Sequence, residues 1–219
     1  MLLMDIFPYE DMRPIQKEVI QTILKGVENK QGVVIHAPTG LGKTVASIAP
    51  ALHTALKEKK TVFFLTSRNT QHKIAMDTIK AIRDNKKLNI TATDIIGKKW
   101  MCLQAGVHSL GSSEFSEYCK ALREDKKCNF YERLKDGESL APVTKLAVKE
   151  LQQAGPVTVE ALMDKGSAHE LCPYELGMLL AKQSHVIVTD YYYLFHPRIR
   201  ENFLKKNNIA LEDCIIIID

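Results

Sequence analysis

The strongest constraint in this sequence is a glycine-rich loop that joins an apolar run to a helix-forming segment. The apolar run, residues 32–35, predicts a short buried strand, and residues 45–59 favour a helix. The loop between them, Ala37 to Thr44, offers backbone N–H groups, the Lys43 charge and the Thr44 hydroxyl, which are the groups that hold a polyphosphate and its Mg²⁺. We therefore predict a nucleotide-phosphate site formed by Thr39, Gly40, Leu41, Gly42, Lys43 and Thr44.

A second polar element, Arg13 and Gln16, precedes this loop at the start of a segment with apolar residues at helical spacing. A glutamine amide both donates to and accepts from the edge of adenine, so we predict that the two residues complete the nucleotide site. Helix capping or a surface position is the alternative for Arg13 and Gln16. For the loop, the alternative is a glycine-rich turn with an exposed lysine.

Composition places the loop in a globular protein without a membrane span. The 219 residues are 45% hydrophobic and 26% charged, which is ordinary for a globular domain. No apolar run approaches the roughly 18 residues of a span, and Met1–Met4 is too short for a signal-peptide core. We expect a cytoplasmic protein, with a prokaryotic or archaeal cytoplasm favoured and a nuclear site if the source is eukaryotic. Residues 1–96 carry 14 basic against 9 acidic residues, which suits ATP and a nucleic-acid backbone.

Apolar runs that alternate with helical patterns after the loop predict an α/β fold built on a parallel sheet. The first run is followed by Arg68, Asn69 and Thr70, at the edge where such sheets bind ligands, and we expect phosphate or DNA contacts there. Helix capping is the alternative for Asn69 and Thr70. Asp219 ends the last run, at the position where P-loop enzymes place a Mg²⁺-binding carboxylate. The alternative is an ordinary aspartate without a metal. The runs are Thr61–Thr66, Asn89–Ile96, His185–Thr189 and Cys214–Asp219.

The alternation lapses between residues 97 and 172, which predicts a mostly helical insert between 1–96 and 173–219. Helical pieces are expected at residues 113–124, 143–153 and 157–164. Four of the five cysteines lie in the insert, and their thiolates suit either Zn²⁺ or an iron–sulfur cluster. No two lie closer than nine positions, which favours a cluster over a zinc knuckle. His108 and His169 are candidate substitute ligands, Cys214 is expected to be a free strand cysteine, and the four candidate ligands are Cys102, Cys119, Cys128 and Cys172.

Together these motifs resemble XPD-type DNA helicases, including their DinG relatives, over nearly the whole chain. Arg13-Pro14-x-Gln16 is similar to the Q-motif of superfamily-two helicases, and Ala37 to Thr44 fits their A-x-x-G-x-G-K-T loop. The other similar stretches are Phe7-Pro8-Tyr9, Leu65 to Gln71, the four ordered cysteines, Cys172-Pro173-Tyr174-Glu175 and Val186 to Leu194.

The resemblance implies a RecA-like first motor domain of an ATP-dependent helicase that moves 5′→3′ on single-stranded DNA. ATP and Mg²⁺ would be held by the loop, with Lys43, Thr44 and Asp219 as catalytic residues. The four insert cysteines would bind a [4Fe–4S] cluster that braces the insert at the duplex junction. Lys98 stands where the family carries an arginine, and Cys128 is followed by Asn129-Phe130 where many relatives have Pro-Tyr. The DNA contacts would be Arg68, Asn69, Thr70, Lys98, Tyr191 and Tyr193, with one or two of the tyrosines 191–193 in the core.

The family continues past the position of Asp219 with a second acidic residue and a second motor domain. A motor needs both to hydrolyse ATP, so we expect these 219 residues alone to bind ATP and DNA weakly and to hydrolyse ATP little. The missing motor domain is therefore an expected partner, in the same or a separate chain. Two other hypotheses are a non-motor nucleic-acid-binding module stapled by zinc or a cluster, with a degenerate nucleotide site, and a P-loop kinase or nucleotide transferase.

Overall fold

A computed structural model describes residues 6–38 and 40–219 of the chain. Its centre is a four-stranded parallel sheet with the strand order β2-β5-β1-β6. These strands begin and end within two or three residues of the predicted apolar runs, which confirms an α/β fold on a parallel sheet. The strands are Thr61–Leu65 (β1), Ala92–Ile95 (β2), Val186–Thr189 (β5) and Cys214–Ile218 (β6), and a separate hairpin is formed by Lys135–Asp136 (β3) and Ser139–Leu140 (β4).

Helices cover both faces of this sheet. The predicted helices of the insert form close to the expected positions, at residues 112–124, 142–154 and 159–169. A 3₁₀ turn at Lys98–Met101 leads from β2 into the insert. The helices are Pro14–Glu28 (α1), Lys43–Glu58 (α2), Asn69–Lys86 (α3), Ser112–Glu124 (α4), Asn129–Glu132 (α5), Pro142–Ala154 (α6), Val159–His169 (α7), Pro173–Ala181 (α8), Tyr192–Phe195 (α9) and Pro197–Asn207 (α10). None of them, in the part of the chain described, has the length and apolar character to cross a membrane.

Alternate residues of the strands face two separate hydrophobic cores. In β1, Val62 and Phe64 join the core beneath α1, α2 and α3, whereas Phe63 and Leu65 join the core on the opposite face. Side chains of successive strand residues point to opposite faces, so a strand that is apolar at every position needs cover on both sides. The sheet is therefore a middle layer between two helical layers.

The second half of the insert supplies part of one of these layers. Ala147 and Leu151 of α6 and Leu162 of α7 are buried in the same core as Phe63 and Ile187. Val157 also extends the sheet beside β2, where its N–H donates to the Ala92 carbonyl at 2.8 Å. The boundaries of the insert at residues 97 and 172 stay a prediction. Apolar side chains from residues 142–171 pack in the same core as the sheet strands.

The first half of the insert has a thin core by comparison. Between residues 98 and 140 the buried apolar side chains are few: Met101, Val107, Phe115 and Leu134. So little buried apolar area stabilises a segment of this length poorly, and small units with thin cores are commonly held by disulfides or metals.

The strand expected at residues 32–35 is not formed. Residues 31–38 have no regular structure, and the Val34 side chain is 99% exposed. A strand needs a partner for its backbone hydrogen bonds, and residues 31–38 pair with none of the four sheet strands. An apolar run becomes a strand only where its backbone pairs with another strand, so this prediction was wrong for the described residues.

The placement of α6 predicts a position-dependent cost of truncating leucines. Leu151→Ala should lower the free energy of unfolding by about 2–5 kcal/mol, because Leu151 is 3% exposed and its loss leaves a cavity beside the sheet. Leu146→Ala on the same helix, at a side chain that is 49% exposed, should change it by less than about 0.5 kcal/mol. Urea unfolding followed by circular dichroism measures both values, and equal effects would show that α6 is not part of the core.

Candidate nucleotide and nucleic-acid site

The predicted phosphate loop ends where α2 begins, at Lys43. Gly40 and Gly42 adopt left-handed backbone conformations, with φ of 84° and 81°, which side chains other than glycine rarely tolerate. The Lys43 ammonium group donates a hydrogen bond to the Ala37 carbonyl at 3.1 Å, so it lies across the loop. Thr44 follows in the first turn of α2 and is half-buried. Thr39 lies outside the described residues.

Arg13 and Gln16 hold this loop from the side of α1. The Gln16 side-chain amide donates to the Leu41 carbonyl at 2.7 Å, and its oxygen accepts from the Arg13 N–H at 3.0 Å. The Arg13 guanidinium donates to the Gly40 carbonyl at 2.7 Å. A methyl group at Gly42 would lie 2.5 Å from the Gln16 amide nitrogen, so the brace requires glycine there. Gln16 is buried against the loop, and its predicted contact with adenine stays a prediction.

Asp219 lies at the carboxyl end of β6, beside β1. Its N–H donates to the Leu65 carbonyl at 3.0 Å, and its own carbonyl accepts a hydrogen bond from the Tyr191 hydroxyl. The helix that carries Lys43 and Thr44 packs against β6. Asp219 is exposed at the sheet edge where parallel α/β folds bind ligands.

A cavity of about 1040 Å³ lies between this sheet edge and the insert. Ser67, Asp190 and Tyr191 line it from the ends of β1 and β5, and Lys98 and Trp100 line it from the insert. It therefore gathers three of the predicted DNA contacts, Lys98, Tyr191 and Tyr193. The predicted contacts Arg68, Asn69 and Thr70 are exposed at the start of α3 and are not among the residues that line the cavity.

The three consecutive tyrosines divide between core and surface. Tyr193 is only 5% exposed, donates its hydroxyl to the Ile96 carbonyl at 2.9 Å and packs edge-on against Phe203. Most of its ring belongs to the core, as expected for one or two of the three tyrosines, although Tyr193 also lines the cavity. Its role as a DNA contact stays a prediction. The exposed member is Tyr192, at 68%. Residues 192–195 form one helical turn, which points neighbouring side chains about 100° apart, whereas an extended segment would alternate them.

A buried ionisable cluster, which no motif indicated, lies beneath the same edge. The His72 Nδ1 and an Asp94 carboxylate oxygen are 2.6 Å apart, and His72 Nε2 is 3.8 Å from an Asp190 oxygen. Burial opposes charge on His72, but the hydrogen bond and the charge of Asp94 outweigh it and raise the pKa of His72. His72 thus ties α3 to the ends of β2 and β5, and only the tertiary fold brings the three residues together.

The four predicted ligand cysteines line one small cavity. Cys102 follows the 3₁₀ turn, Cys119 lies in α4, and Cys128 and Cys172 precede α5 and α8. Burial raises the pKa of Cys172 to about 12. Across residues 6–38 and 40–219, however, no group of three or more His, Cys, Asp or Glu side chains is arranged to hold a metal ion. The donor set therefore suits a thiophilic metal, and its geometry is not that of a formed metal site.

A buried carboxylate connects this part of the insert to the sheet. Glu175 is 6% exposed and pairs with Lys206 of α10, while Arg123 of α4 approaches it to 3.9 Å. The Arg123 guanidinium also lies 3.9 Å from the Tyr131 ring centroid and donates to its hydroxyl at 2.8 Å. Four segments, α4, α5, α8 and α10, thus meet around one carboxylate.

Comparison with known proteins identifies similar sequences and structures. The DEAD_2 family model matches residues 64–219, and the DEAD/DEAH box helicase model matches residues 13–112. Similar proteins include "Regulator of telomere elongation helicase 1 homolog" of Anopheles gambiae, 24% identical over 97% of this chain and 24% of that protein. "ATP-dependent DNA helicase XPD" of Sulfolobus acidocaldarius is 29% identical over 95% of this chain and 32% of that protein. The chain thus spans a quarter to a third of these relatives.

A solved structure titled "XPD_Helicase" matches with a TM-score of 0.63 and 24% identity, over 96% of this chain and 33% of that one. The match supports the fold of the chain.

The raised pKa of His72 predicts a pH-dependent contribution to stability. Between the unfolded-state pKa of about 6.5 and the higher folded-state pKa, the folded protein binds more protons. The contribution is therefore complete below about pH 6.5 and is lost as the pH rises through the folded pKa. Asp94→Asn should lower the free energy of unfolding by about 1.5–3 kcal/mol near pH 6 and by less near pH 8, measured by urea unfolding.

Asp77→Asn is the matched control, because Asp77 is an exposed carboxylate on α3. It should change stability by less than about 0.5 kcal/mol at both pH values. A cost of Asp94→Asn that grows as the pH rises would contradict the assignment of a raised His72 pKa.

Proposed function

Because this chain belongs to the DEAD_2 family, we propose that it forms part of the first motor domain of an ATP-dependent DNA helicase that moves 5′→3′. The observation that carries the proposal is the loop from Gly40 to Thr44, braced by Arg13 and Gln16 at the start of α2. The relatives named as helicases support the class of activity. Direction of movement and the preference for duplex junctions are parts of the proposal that rest on family resemblance.

In this proposal the loop holds the phosphates of ATP. Backbone N–H groups at the start of α2 face the phosphates, Lys43 leaves the Ala37 carbonyl to bind them, and Thr44 and Asp219 hold Mg²⁺. Arg13 and Gln16 keep the loop in shape and contact the adenine edge with their remaining hydrogen-bonding capacity. A change in the shape of the loop on ATP binding would then alter the hydrogen bonds that Arg13 and Gln16 make from α1.

Single-stranded DNA would lie along the cavity between the sheet edge and the insert. Lys98, Lys99, Lys120 and Arg123 line it against two acidic residues, Glu124 and Asp190, so its charge favours a phosphate backbone. Tyr191 and Tyr192 offer aromatic surface on the sheet side, which binds any base without sequence preference. Arg68, Asn69 and Thr70 would extend this contact along the start of α3.

Cys102, Cys119, Cys128 and Cys172 would hold a [4Fe–4S] cluster. Support comes from their convergence on one cavity and from the thin apolar core between residues 98 and 140. The cluster would supply a covalent staple among four separate segments and hold the insert as a wedge at the duplex junction.

We further propose that these residues make up one side of a two-sided ATP site. Hydrolysis requires a second acidic residue that positions water and a cationic group that senses the γ-phosphate. Relatives about three to four times as long have room for both. A polypeptide of these 219 residues would then bind ATP without turning it over efficiently.

Lys43→Ala should weaken binding of a fluorescent ATP analogue, in the presence of Mg²⁺, by about 10- to 100-fold. The reason is that charge-assisted hydrogen bonds of this kind contribute about 1.5–3 kcal/mol. Lys57→Ala, at the opposite end of α2, is the control and should bind normally. Equal binding by the Lys43 variant would rule out the site. Strong DNA-stimulated ATP hydrolysis by the 219-residue chain, abolished by Lys43→Ala, would instead contradict the two-sided site.

Anaerobic purification should give a brown protein with an absorbance band at about 400 nm and about four irons per chain. Cys128→Ser should remove the colour, whereas Cys214→Ser should keep it, because the Cys214 thiol lies in β6 and donates to the Ala210 carbonyl. Colourless protein with about one zinc per chain would support the zinc-stapled module instead.

A further inference from the structure

Trp100 is an exposed aromatic side chain at the mouth of the cavity between the sheet edge and the insert. It is the only tryptophan in the chain, and 56% of its surface is exposed. Its neighbour Met101 is fully buried and fixes the 3₁₀ turn to the protein interior. A large apolar ring on a fixed turn therefore faces solvent, although its burial would be favourable.

The surroundings hold this ring in one orientation. The His108 ring stacks on it, with ring centroids 5.6 Å apart and planes 15° apart. The Lys99 ammonium lies 4.5 Å from the Trp100 centroid and is fixed by a hydrogen bond to the Leu110 carbonyl at 2.8 Å. A ring that is already ordered loses little conformational entropy when a flat ligand stacks on it.

The opposite wall of the cavity presents a second aromatic surface. Tyr192, 68% exposed, and His196 line it from the segment after β5. The cations Lys98, Lys99 and Arg123 lie on the insert side, so a ligand here meets flat rings together with positive charge. Single-stranded nucleic acid offers the matching chemistry, with flat bases on an anionic backbone.

We propose that Trp100 is the base-stacking residue of the insert and receives a base of single-stranded DNA at the mouth of this cavity. The inference rests on the proposed function. It assigns a base contact to the insert, whereas a wedge at the duplex junction needs only to exclude the second strand by its bulk. The stacked His108 keeps the ring in one orientation, and Lys99 offers its charge to the adjacent phosphate.

The unique tryptophan makes the proposal directly measurable in the 219-residue chain. An oligothymidine of about 20 nucleotides, longer than the ~4–16 nucleotides that single-strand sites usually cover, should quench Trp100 fluorescence. An abasic oligomer with the same number of phosphates should bind more weakly and leave the emission unchanged. Trp100→Ala should bind labelled oligothymidine about 5- to 150-fold more weakly by fluorescence anisotropy, with no change for the abasic oligomer.

Two further variants separate stacking from loss of structure. Trp100→Tyr should keep most of the affinity, since a tyrosine ring also stacks. Tyr118→Ala, at an exposed aromatic of α4 that does not line the cavity, should bind as the unaltered chain does. Oligothymidine binding that is tight, unquenched and unaffected by Trp100→Ala would overturn the proposal and leave the proposed function standing. No binding of oligothymidine by the unaltered chain would overturn both.

Discussion

Burial of parallel strands on both faces is the constraint on which the rest of this molecule depends. β1 and β5 are apolar at nearly every position, and their alternate side chains enter two different cores. Helices must then cover both faces, and the turns that leave the strands must carry the polar groups. The cavity, the His72 cluster and Asp219 all lie at the carboxyl ends of the sheet strands, where polar segments of the chain leave the apolar layers.

The phosphate loop is the exception, since no sheet ladder fixes its entry. Residues 31–38 have no regular structure, so the shape of the loop rests on α2 behind it and on three hydrogen bonds from Arg13, Gln16 and Lys43. Each such bond contributes on the order of 1 kcal/mol, and more where a charge takes part. The loop is therefore a weakly stabilised element whose conformation responds to whatever binds Lys43. Arg13 and Gln16 therefore also hold the loop in its conformation, a role that their resemblance to an adenine-binding motif did not predict.

The sequence was informative wherever one local rule decided the outcome. The apolar runs predicted four strands of the sheet, and the glycine pattern predicted the turn into α2, because these depend on neighbouring residues. Residues 32–35 obey the same strand rule yet form no strand, since pairing depends on a partner distant in the chain. Tyr193 lies in the core and Tyr192 is exposed because these residues form one helical turn, whereas the sequence suggested an extended segment and left open which tyrosines are buried. Trp100 and His72 belonged to no motif. Trp100 is ordered by Lys99 and the stacked His108, and His72 meets Asp94 and Asp190 at the ends of β2 and β5.

One cluster of charged side chains links the first half of the insert to the helices that cover the sheet. Few apolar side chains are buried between residues 98 and 140, whereas Glu175 meets Lys206 from α10 and Arg123 from α4. A buried carboxylate with two cations is costly to separate, because removing either partner leaves charge in a medium of low dielectric constant. Arg123 thus joins α4 to Glu175 of α8 and, through the Tyr131 hydroxyl, to α5, so one side chain of the insert contacts two other segments.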